Sequence, residues 1–517
     1  MDLQEFCKQL QAGQFPLKWP GHWCGGAWLP GKTSGVQKSS FNPNTGSKLI
    51  DVYVDKDAVQ QIVDQAYKSR AALAAVPVSQ RLDVLKRFRQ ALVDYQQPAE
   101  LILRLEAGKP SWEARQDIAS AVAYLDWVVN HGDEVLQTLT APCIMGQQQG
   151  GKVQLIPIGV TAAYLAFSTP ITNFVVYFAA SMLAGCPLIL NSSSHALLSS
   201  MLIALLSQEQ DLLPGMLSVV FGNFSSFKHL LVDKRIAAIL YTGSREHCDV
   251  VRAESRQHLG RQLVLQSGGK NAVIVHSSAN LQEAVQCVVY GALVSAGQRC
   301  TSTSRVFVYR SMLPAFRDEL LKALRSVKVG RTDTDTLGDG KQGPFMGPLY
   351  SAKAVEKYLR FQTMANREAE TLLWGRAVED LAGGYFVTPS VHYVKHFDNT
   401  TAYQGNVLFS PNIAIYDYDV LDTAIEQINT TDAAFAVSFV GDPEVLKARR
   451  SLFLAPNLMC NMPTVEMQVT LPLAGRLQSG HHRYHGPGVA LYLCFPQVLT
   501  QDTASEQLIR SWPWPRY

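Results

Sequence analysis

The sequence predicts an α/β protein whose strands form parallel sheets. Apolar, strand-like runs alternate with helix-like segments, and turns rich in glycine, proline and serine separate them. The plainest case is an apolar strand over 161–167, an apolar helix over 174–183 and a strand over 187–190. Two strands joined by a helix form a βαβ unit, in which the strands run parallel. We therefore expect a ligand at the carboxyl ends of these strands.

The N-terminal part predicts a hairpin followed by two amphipathic helices. Two tryptophans flank a pair of glycines, which favours a hairpin within 22–31. Apolar residues recur at helical spacing over 55–95 and predict two helices with polar outer faces. Gly108 and Pro110 then end one helix and begin the next, because glycine caps a helix end and proline suits a first turn.

A second βαβ unit follows the first. It comprises a strand over 217–221, a helix over 227–232 and a strand over 236–240. The unit ends in Tyr-Thr-Gly-Ser over 241–244, which resembles the Phe-Thr-Gly-Ser of the aldehyde dehydrogenase superfamily. The resemblance implies a helix start at Gly243 and Ser244 beside the cofactor pyrophosphate, and free N–H groups favour phosphate there. The alternative is that Ser244 does no more than cap the helix.

A third unit surrounds Cys300. The sequence predicts a strand over 272–275, a helix over 281–291 and a strand over 306–308. Cys300 lies on a glycine-containing turn just before the last strand, where a thiol can be exposed beside backbone N–H groups. That placement suits a nucleophile. The alternative is that Cys300 is one of nine ordinary cysteines, since a free cysteine is usually a small buried hydrophobe.

Composition and charge argue against several functional classes. The 517 residues carry a net charge of +3 and no long basic run, so neither nucleic acid nor an anionic membrane surface is indicated as a partner. The nine cysteines are dispersed, which predicts reduced thiols in the cytoplasm and argues against a disulfide framework. The first ten residues contain acids and no apolar core, so we expect no signal peptide. The longest apolar run, 174–190, contains serine, glycine and proline and predicts a buried helix and strand instead of a membrane span.

The C-terminal part predicts a loop followed by an edge strand. His481, His482 and His485 cluster in the loop, but no acid or cysteine lies near them at ligand spacing. A solvated loop is therefore favoured over a metal site. The apolar run over 489–498 predicts the strand.

Two motifs around Cys300 resemble the active-site region of the aldehyde dehydrogenase superfamily. Members carry a Glu-Leu-Gly-Gly-Lys turn and, further along, Gly-Gln-x-Cys. This chain has Gln-Ser-Gly-Gly-Lys over 266–270 and Gly-Gln-Arg-Cys over 297–300. The resemblance extends from about Trp23 to about Pro496, and it is nearest to the succinylglutamate semialdehyde dehydrogenases.

The resemblance implies an aldehyde dehydrogenase-like fold of three parts. A Rossmann-like, dinucleotide-binding domain would comprise 20–136 and 158–264, and an α/β catalytic domain would comprise 265–464. A small β oligomerisation segment would comprise 137–157 and 485–505. Because the family pairs its subunits through an edge strand, the resemblance also implies a homodimer or homotetramer.

The resemblance further implies roles for individual residues. Cys300 matches the nucleophile, Gln266 stands at the general-base position, and Ser168 stands where the family has an asparagine that holds the oxyanion. The substrate would be a small-molecule aldehyde, the cofactor NAD or NADP, and no metal is implied. The implied cofactor-binding residues are Asn191, Ser193, Gly243, Ser244, Gly268 and Phe409.

Four positions depart from the family pattern. Gln266 replaces the base glutamate, and an amide cannot accept a proton at neutral pH. Ser168 can donate a hydrogen bond but is shorter than the asparagine it replaces. Asn191 replaces a lysine that contacts the cofactor, and the loss removes a charged hydrogen bond. Val407 replaces a carboxylate that holds the nicotinamide ribose.

These observations leave three functions open. The first is NAD(P)-dependent oxidation of an aldehyde, for example succinylglutamate semialdehyde, to a carboxylate through a Cys300 thiohemiacetal and thioester. The second is a catalytically impaired or inactive paralogue that acts by binding or assembly. The third is a CoA-acylating aldehyde dehydrogenase, in which coenzyme A intercepts a thioester that water attacks slowly.

Overall fold

Helices flank two large sheets in the structure, a computed structural model that describes residues 2–502 except positions 33, 137–138, 143–148, 211, 213, 335–342, 382 and 483–484. The helices are α1 (Leu3–Gln11), α2 (Lys56–Ala74), α3 (Val78–Asp94), α4 (Gln96–Glu106), α5 (Ser111–Val135), α6 (Pro170–Ala184), α7 (Leu197–Glu209), α8 (Phe224–Leu231), α9 (Arg245–Ser255), α10 (Leu281–Leu293), α11 (Leu313–Ser326), α12 (Ala352–Glu368), α13 (Ala402–Gly405), α14 (Leu421–Asn429), α15 (Pro443–Arg449) and α16 (Val489–Tyr492). The strands are β1 (His22–Cys24), β2 (Ala27–Leu29), β3 (Val36–Phe41), β4 (Lys48–Val54), β5 (Leu139–Pro142), β6 (Gln149–Pro157), β7 (Val160–Leu165), β8 (Leu188–Ser192), β9 (Leu217–Val220), β10 (Ile236–Thr242), β11 (Gln262–Gln266), β12 (Asn271–Val275), β13 (Thr303–Tyr309), β14 (Glu370–Leu373), β15 (Ser390–Tyr393), β16 (Asn412–Tyr418), β17 (Ala433–Ala434), β18 (Ala436–Val440), β19 (Asn457–Cys460), β20 (Arg476–Leu477), β21 (Gly480–His481) and β22 (Cys494–Asp502).

The first large sheet has the strand order β2-β1-β9-β8-β7-β10-β11-β21. Its central strands, from β9 to β11, are all parallel, and antiparallel strands close both edges. Helix α6 connects β7 to β8, and α8 connects β9 to β10, as the two predicted βαβ units require. The α/β class with parallel sheets is therefore confirmed.

The second large sheet has the order β14-β15-β16-β13-β12-β18-β19. All neighbouring strands are parallel except the pair β14 and β15. The chain passes from the first sheet to the second between Gln266, where β11 ends, and Asn271, where β12 begins. This crossing, 267–270, therefore lies at the junction of the two sheets, close to the boundary at 265 that the resemblance implies. The division into domains stays a prediction.

Two helices begin earlier than the sequence predicts. Helix α6 starts at Pro170, because a proline in the first turn lacks only an N–H that would have no partner there, and every residue of the helix is buried. Helix α8 starts at Phe224, because the side chains of Asn223 and Ser226 form a capping box. The predicted ranges missed these starts because apolar periodicity becomes visible only after the first turn.

A small antiparallel sheet contains the C-terminal strand in the order β22-β6-β5. The predicted strand over 489–498 is wrong in its first part, because Val489 and Ala490 are buried in the helical turn α16, which contacts α6, and the strand starts at Cys494. Of the expected oligomerisation segment, positions 137–138, 143–148 and 503–505 lie outside the described residues. None of the helices described is both long and apolar enough to cross a membrane.

Candidate active site

The turn that precedes Cys300 has a left-handed backbone. Ser295, Ala296 and Gly297 have successive φ angles of 54°, 52° and 72°. A left-handed conformation costs a non-glycine residue roughly 1–2 kcal/mol. Glycine is also required at 297 by space, because a Cβ there would lie 2.5 Å from the carbonyl carbon of Ser410. Strain of this kind persists only where surrounding contacts fix the backbone.

Residues in and just after the crossing between the two sheets hold the backbone of Cys300. The N–H of Gly269 and the Nδ2 of Asn271 donate hydrogen bonds to the Cys300 carbonyl at 3.3 Å and 2.9 Å. Gly268 packs so closely that a Cβ there would lie 3.4 Å from the Cys300 Cα and 2.9 Å from the Phe409 ring. A side chain at 268 would therefore displace the Phe409 ring.

Cys300 is half-buried. Burial raises its pKa to about 11, and the positive charge of Arg299 and two backbone N–H groups oppose that rise only in part. The thiol is therefore protonated at neutral pH in this state, and a nucleophilic thiolate requires the proton to leave during reaction.

A cavity of about 860 Å³ opens over Cys300 between the two large sheets. Its volume falls within the range of roughly 300–1,000 Å³ that is usual for small-molecule and cofactor sites. Most of the residues that the sequence singled out line it together with Cys300, namely Ser168, Ser193, Gly243, Ser244, Gly268 and Phe409. Parts of the chain that are far apart in sequence thus meet at one site.

The N-terminus of helix α9 forms part of the cavity wall. Ser244 lines the cavity, and its Oγ accepts a hydrogen bond from the His247 N–H at 3.3 Å. The two roles considered for Ser244 are therefore compatible, because the hydroxyl caps the helix while the helix start faces the cavity. Free N–H groups and the helix dipole favour an anionic group there.

Charged side chains that the sequence analysis did not single out also line the cavity. Cations outnumber acids among them, which favours an anionic ligand. Arg245 forms an ion pair with Asp432 at 2.7 Å and so connects α9 to the loop before β17. In the sequence, these charged residues could have been suspected only from the spacing of Lys353 and Lys357, which lie one turn apart on α12. The cations are Lys228, Arg245, Lys353 and Lys357, and the acids are Glu246 and Asp432.

Three aromatic side chains that the sequence did not point to also line the cavity. The ring of Tyr350 lies 4.8 Å from Phe167 and 4.9 Å from His195, and all three residues line the cavity. Gln298 fixes the Tyr350 backbone because its Oε1 accepts the Tyr350 N–H at 2.9 Å. Burial lowers the pKa of His195 to about 4, so the imidazole is neutral at pH 7.

Gln266, the residue at the expected general-base position, is fully buried at the end of β11. It does not line the cavity, although Ser267 and Gly268 do. Within the described ranges, neither its Nε2 nor its Oε1 has a hydrogen-bond partner. A buried amide left unpaired costs about 1–3 kcal/mol. The side chain is therefore not held in place by polar contacts.

The model of the Aldehyde dehydrogenase family matches residues 28–495, which is most of the chain. The chain belongs to the aldehyde dehydrogenase family. Membership makes it an oxidoreductase of the aldehyde dehydrogenase type, in agreement with the resemblance in its sequence motifs.

Individual aldehyde dehydrogenases match over nearly their whole length. The N-succinylglutamate 5-semialdehyde dehydrogenase of Burkholderia mallei (strain SAVP1) is 27% identical over 482 residues, which cover 92% of this chain and 96% of that protein. The gamma-glutamyl-gamma-aminobutyraldehyde dehydrogenase of Burkholderia cenocepacia J2315 superposes with a TM-score of 0.87 at 22% identity, covering 97% and 99% of the two chains. A putative methylmalonate-semialdehyde dehydrogenase from Sinorhizobium meliloti 1021, complexed with NAD, gives 0.87 at 20% identity, covering 94% and 98%. The aldehyde dehydrogenase fold is therefore confirmed.

Asn191 does not lie where the aldehyde dehydrogenase resemblance led us to expect it. Its Nδ2 donates to the carbonyls of Ser192 and Asn223, at 2.9 Å and 3.1 Å, and its Oδ1 accepts from the Ser226 Oγ at 2.9 Å. The side chain is fully buried and does not line the cavity. Through these contacts the short side chain of Asn191 joins β8 to the start of α8.

Two of the four departures from the family pattern, Val407 and Ser168, lie at the cavity surface. The first presents an apolar side chain to the cavity and the second a hydroxyl. Across the described parts of the chain there is no group of three His, Cys, Asp or Glu side chains that could hold a metal ion.

Proposed function

We propose that the chain oxidises a small aldehyde at Cys300 with NAD or NADP as the electron acceptor. The observation that carries this proposal is that the half-exposed thiol of Cys300 and the N-terminus of α9 line the same cavity. A nucleophile and a phosphate-binding helix start are the two parts that such a reaction needs in one place.

The residues that line the cavity fit a nicotinamide dinucleotide. The volume is sufficient, the start of α9 suits the pyrophosphate, and the excess of cations suits its charge. We assign Ser193, Gly243 and Ser244 to the phosphate end, and Gly268 and Phe409 to the end beside Cys300. Bound there, the dinucleotide supplies a two-electron hydride acceptor. The relatives support this assignment, since one structure with the same fold contains NAD.

The chain's own part in the reaction centres on Cys300. The thiol releases its proton to solvent, its Sγ forms a bond to the aldehyde carbon, and the C=O π electrons move to the aldehyde oxygen, which becomes an oxyanion. The Cys300 N–H and the hydroxyl of Ser168 would hold that oxyanion. Loss of hydride from the same carbon then restores the carbonyl and leaves a thioester on Cys300.

For the substrate we propose a semialdehyde such as succinylglutamate semialdehyde. The names of the curated relatives support this choice. A semialdehyde carries a carboxylate at its far end, and the excess of cationic side chains around the cavity suits such a charge. We also propose that the protein works in the cytoplasm, since its cysteines are dispersed and do not suggest a disulfide framework.

Release of the product is the step for which the chain lacks an obvious catalytic group. Hydrolysis of the thioester needs a base to take a proton from water, and the Gln266 amide cannot do so. A positioned general base typically contributes about 10²–10⁴ in rate. We therefore propose that acylation of Cys300 is fast and hydrolysis slow.

Gln266 favours a second candidate function, that of a CoA-acylating aldehyde dehydrogenase. A thiol attacks a thioester as a thiolate, so the reaction needs no general base to remove a proton from water. The acyl group would pass from the Cys300 sulfur to the incoming sulfur, and Cys300 would leave as a thiolate. The cationic lining of the cavity also suits the phosphates of coenzyme A.

The test is calorimetric titration with NAD+ and NADP+, combined with a stopped-flow measurement of reduced cofactor in the presence of succinylglutamate semialdehyde. We expect binding of at least one cofactor and a burst of one equivalent per chain followed by slow turnover. Coenzyme A should accelerate the slow phase if the second candidate is right. Cys300→Ala should bind cofactor without a burst, whereas Cys24→Ala should behave as the unmodified protein. Absence of binding to either cofactor at millimolar concentration would overturn both enzyme proposals in favour of an inactive paralogue.

A further inference from the structure

We propose that Glu113, on helix α5, is a positioning residue that holds the left-handed turn before Cys300 in its reactive geometry. The inference rests on the proposed role of Cys300 as nucleophile. It concerns a carboxylate far from Cys300 in sequence, separated by 182 positions from the residue it holds. Glu113 touches neither the cavity nor the thiol, so any influence on reaction must act through the turn.

One carboxylate of Glu113 binds both ends of the turn. Its Oε2 accepts the backbone N–H of Ser295 at 2.9 Å, and its Oε1 accepts the Ser295 hydroxyl. The same Oε1 accepts a hydrogen bond from Nη2 of Arg299 at 3.0 Å. Arg299 also donates from Nε to the Ser295 hydroxyl at 3.2 Å, which closes the arrangement. Arg299 is the residue immediately before Cys300.

The carboxylate is itself fixed by buried charges. Lys109 lies 3.5 Å from Glu113 and 3.1 Å from Asp117, and the side chains of all three are 1% exposed. With Arg299 the cluster contains two cations and two carboxylates, so its charges balance. Thr172 donates to Asp117 and connects the cluster to α6. Buried charges that are fully paired resist displacement, because moving one leaves another uncompensated.

The turn needs such a support because its backbone is unfavourable by itself. Ser295 and Ala296 are non-glycine residues at positive φ, and each would relax to an ordinary conformation if released. Relaxation at 295–297 would rotate the backbone that carries Arg299 and Cys300. The Glu113 contacts to Ser295 and Arg299 oppose this rotation at both ends. Gln298 donates to the Ser295 carbonyl from its N–H and its Nε2, but these bonds stay within the turn segment. Gly269 and Asn271 hold the Cys300 carbonyl, and the Glu113 contacts connect the turn to helix α5.

The test is the rate at which iodoacetamide alkylates Cys300, followed by mass spectrometry in the unmodified protein and in Glu113→Gln. This assay needs neither substrate nor cofactor, so its result is independent of whether the proposed activity is right. Gln keeps the size of Glu but weakens the contacts to Ser295 and Arg299. It also leaves the Arg299 charge unpaired, which by itself lowers the pKa of the Cys300 thiol and speeds alkylation, so slowing is expected only if displacement of the turn outweighs that effect. We expect alkylation to slow at least about tenfold, the effect of losing one hydrogen bond to a charged group. The half-buried thiols of Cys24 and Cys460 should react at unchanged rates.

Two variants separate positioning from a general loss of stability. Glu113→Gln combined with Ala296→Gly should regain much of the rate, because glycine adopts a positive φ without strain. Ser295→Ala removes the hydroxyl contact but no charge, and it should slow alkylation in the same direction if Glu113→Gln does not fold. Glu283→Gln, on the exposed side of α10, is the matched control and should match the unmodified protein. An unchanged or faster rate at Cys300 in Glu113→Gln and Ser295→Ala, or no rescue by glycine, would overturn the proposal.

Discussion

At the scale of single residues, sequence motifs predict which residue types belong to the site, but they do not predict which of these side chains are exposed in the cavity. Cys300, Gly268 and Ser244 line the cavity as the motifs indicated. Asn191 does not, because the carbonyls of Ser192 and Asn223 and the hydroxyl of Ser226 occupy its amide. These partners are recognisable only once the strand end and the helix start are in contact, so no motif could have revealed them.

The Gln266→Glu substitution should restore hydrolysis. A buried carboxylate without partners is costly, so we expect it to turn from the end of β11 toward the cavity and to act there as a base. Steady-state hydrolysis after the burst should rise by about 10²–10⁴, and the melting temperature should fall. Gln262→Glu, which adds the same charge earlier on the same strand, is the control. Equal hydrolysis in the two variants would contradict a role for position 266.

The pH dependence of thiol alkylation tests the environment of Cys300. Burial raises its pKa to about 11, so below that pH the thiolate fraction increases about tenfold for each pH unit. In the ligand-free protein, the alkylation rate of Cys300 should therefore rise continuously from pH 7 to pH 10 without a plateau. A plateau between pH 7 and pH 9 would show that the thiolate is stabilised by groups that the structure does not place beside it.

At the scale of elements, the start of a helix is what the sequence predicts least well and what the site depends on most. The start of α8 depends on the capping box formed by Asn223 and Ser226, and that of α6 on Pro170. The strands were easier to predict, because a buried parallel strand appears as a continuous apolar run.

Ser244→Ala should weaken both helix α9 and cofactor binding. Loss of an N-cap costs about 0.5–2 kcal/mol of stability. Because the uncapped helix start faces the cavity, the dissociation constant for the dinucleotide should also rise when measured by calorimetry. Asn280→Ala removes the N-cap of α10 and should lower stability similarly without changing that constant. If both variants bind equally well, Ser244 is a cap and nothing more.

At the scale of the whole molecule, the charged lining of the cavity was not predictable from local patterns. Lys228 comes from α8 and Lys357 from α12, and only the approach of the two large sheets brings them to one cavity. The parallel sheets themselves followed from the strand–helix–strand pattern, because chain order alone determines that the strands are parallel.

The C-terminal strand β22 should mediate self-association. Phe495, Val498 and Leu499 are each more than 60% exposed on it, and β22 forms an edge of its sheet. An exposed apolar edge strand is a template for pairing with another chain. We expect a homodimer or homotetramer by analytical ultracentrifugation, and Val498→Lys should shift it toward the monomer. Lys152→Glu changes the charge on the neighbouring strand without removing an apolar side chain. It is therefore the control that distinguishes the effect of lost apolar surface from the effect of changed charge. A monomer at micromolar concentration would contradict the expectation.

The carboxylate of Glu113 has a practical meaning for protein engineering. Glu113 lies in the first third of the chain and the turn that it holds lies in the middle third, so a design that exchanges whole domains would treat them as separate parts. A chimera that imports 265–464 from a relative, and keeps the native 20–136, would combine a turn with a helix that did not evolve to match it. Grafts that move 109–117 together with 295–300 should retain a reactive cysteine where simple domain exchange loses it.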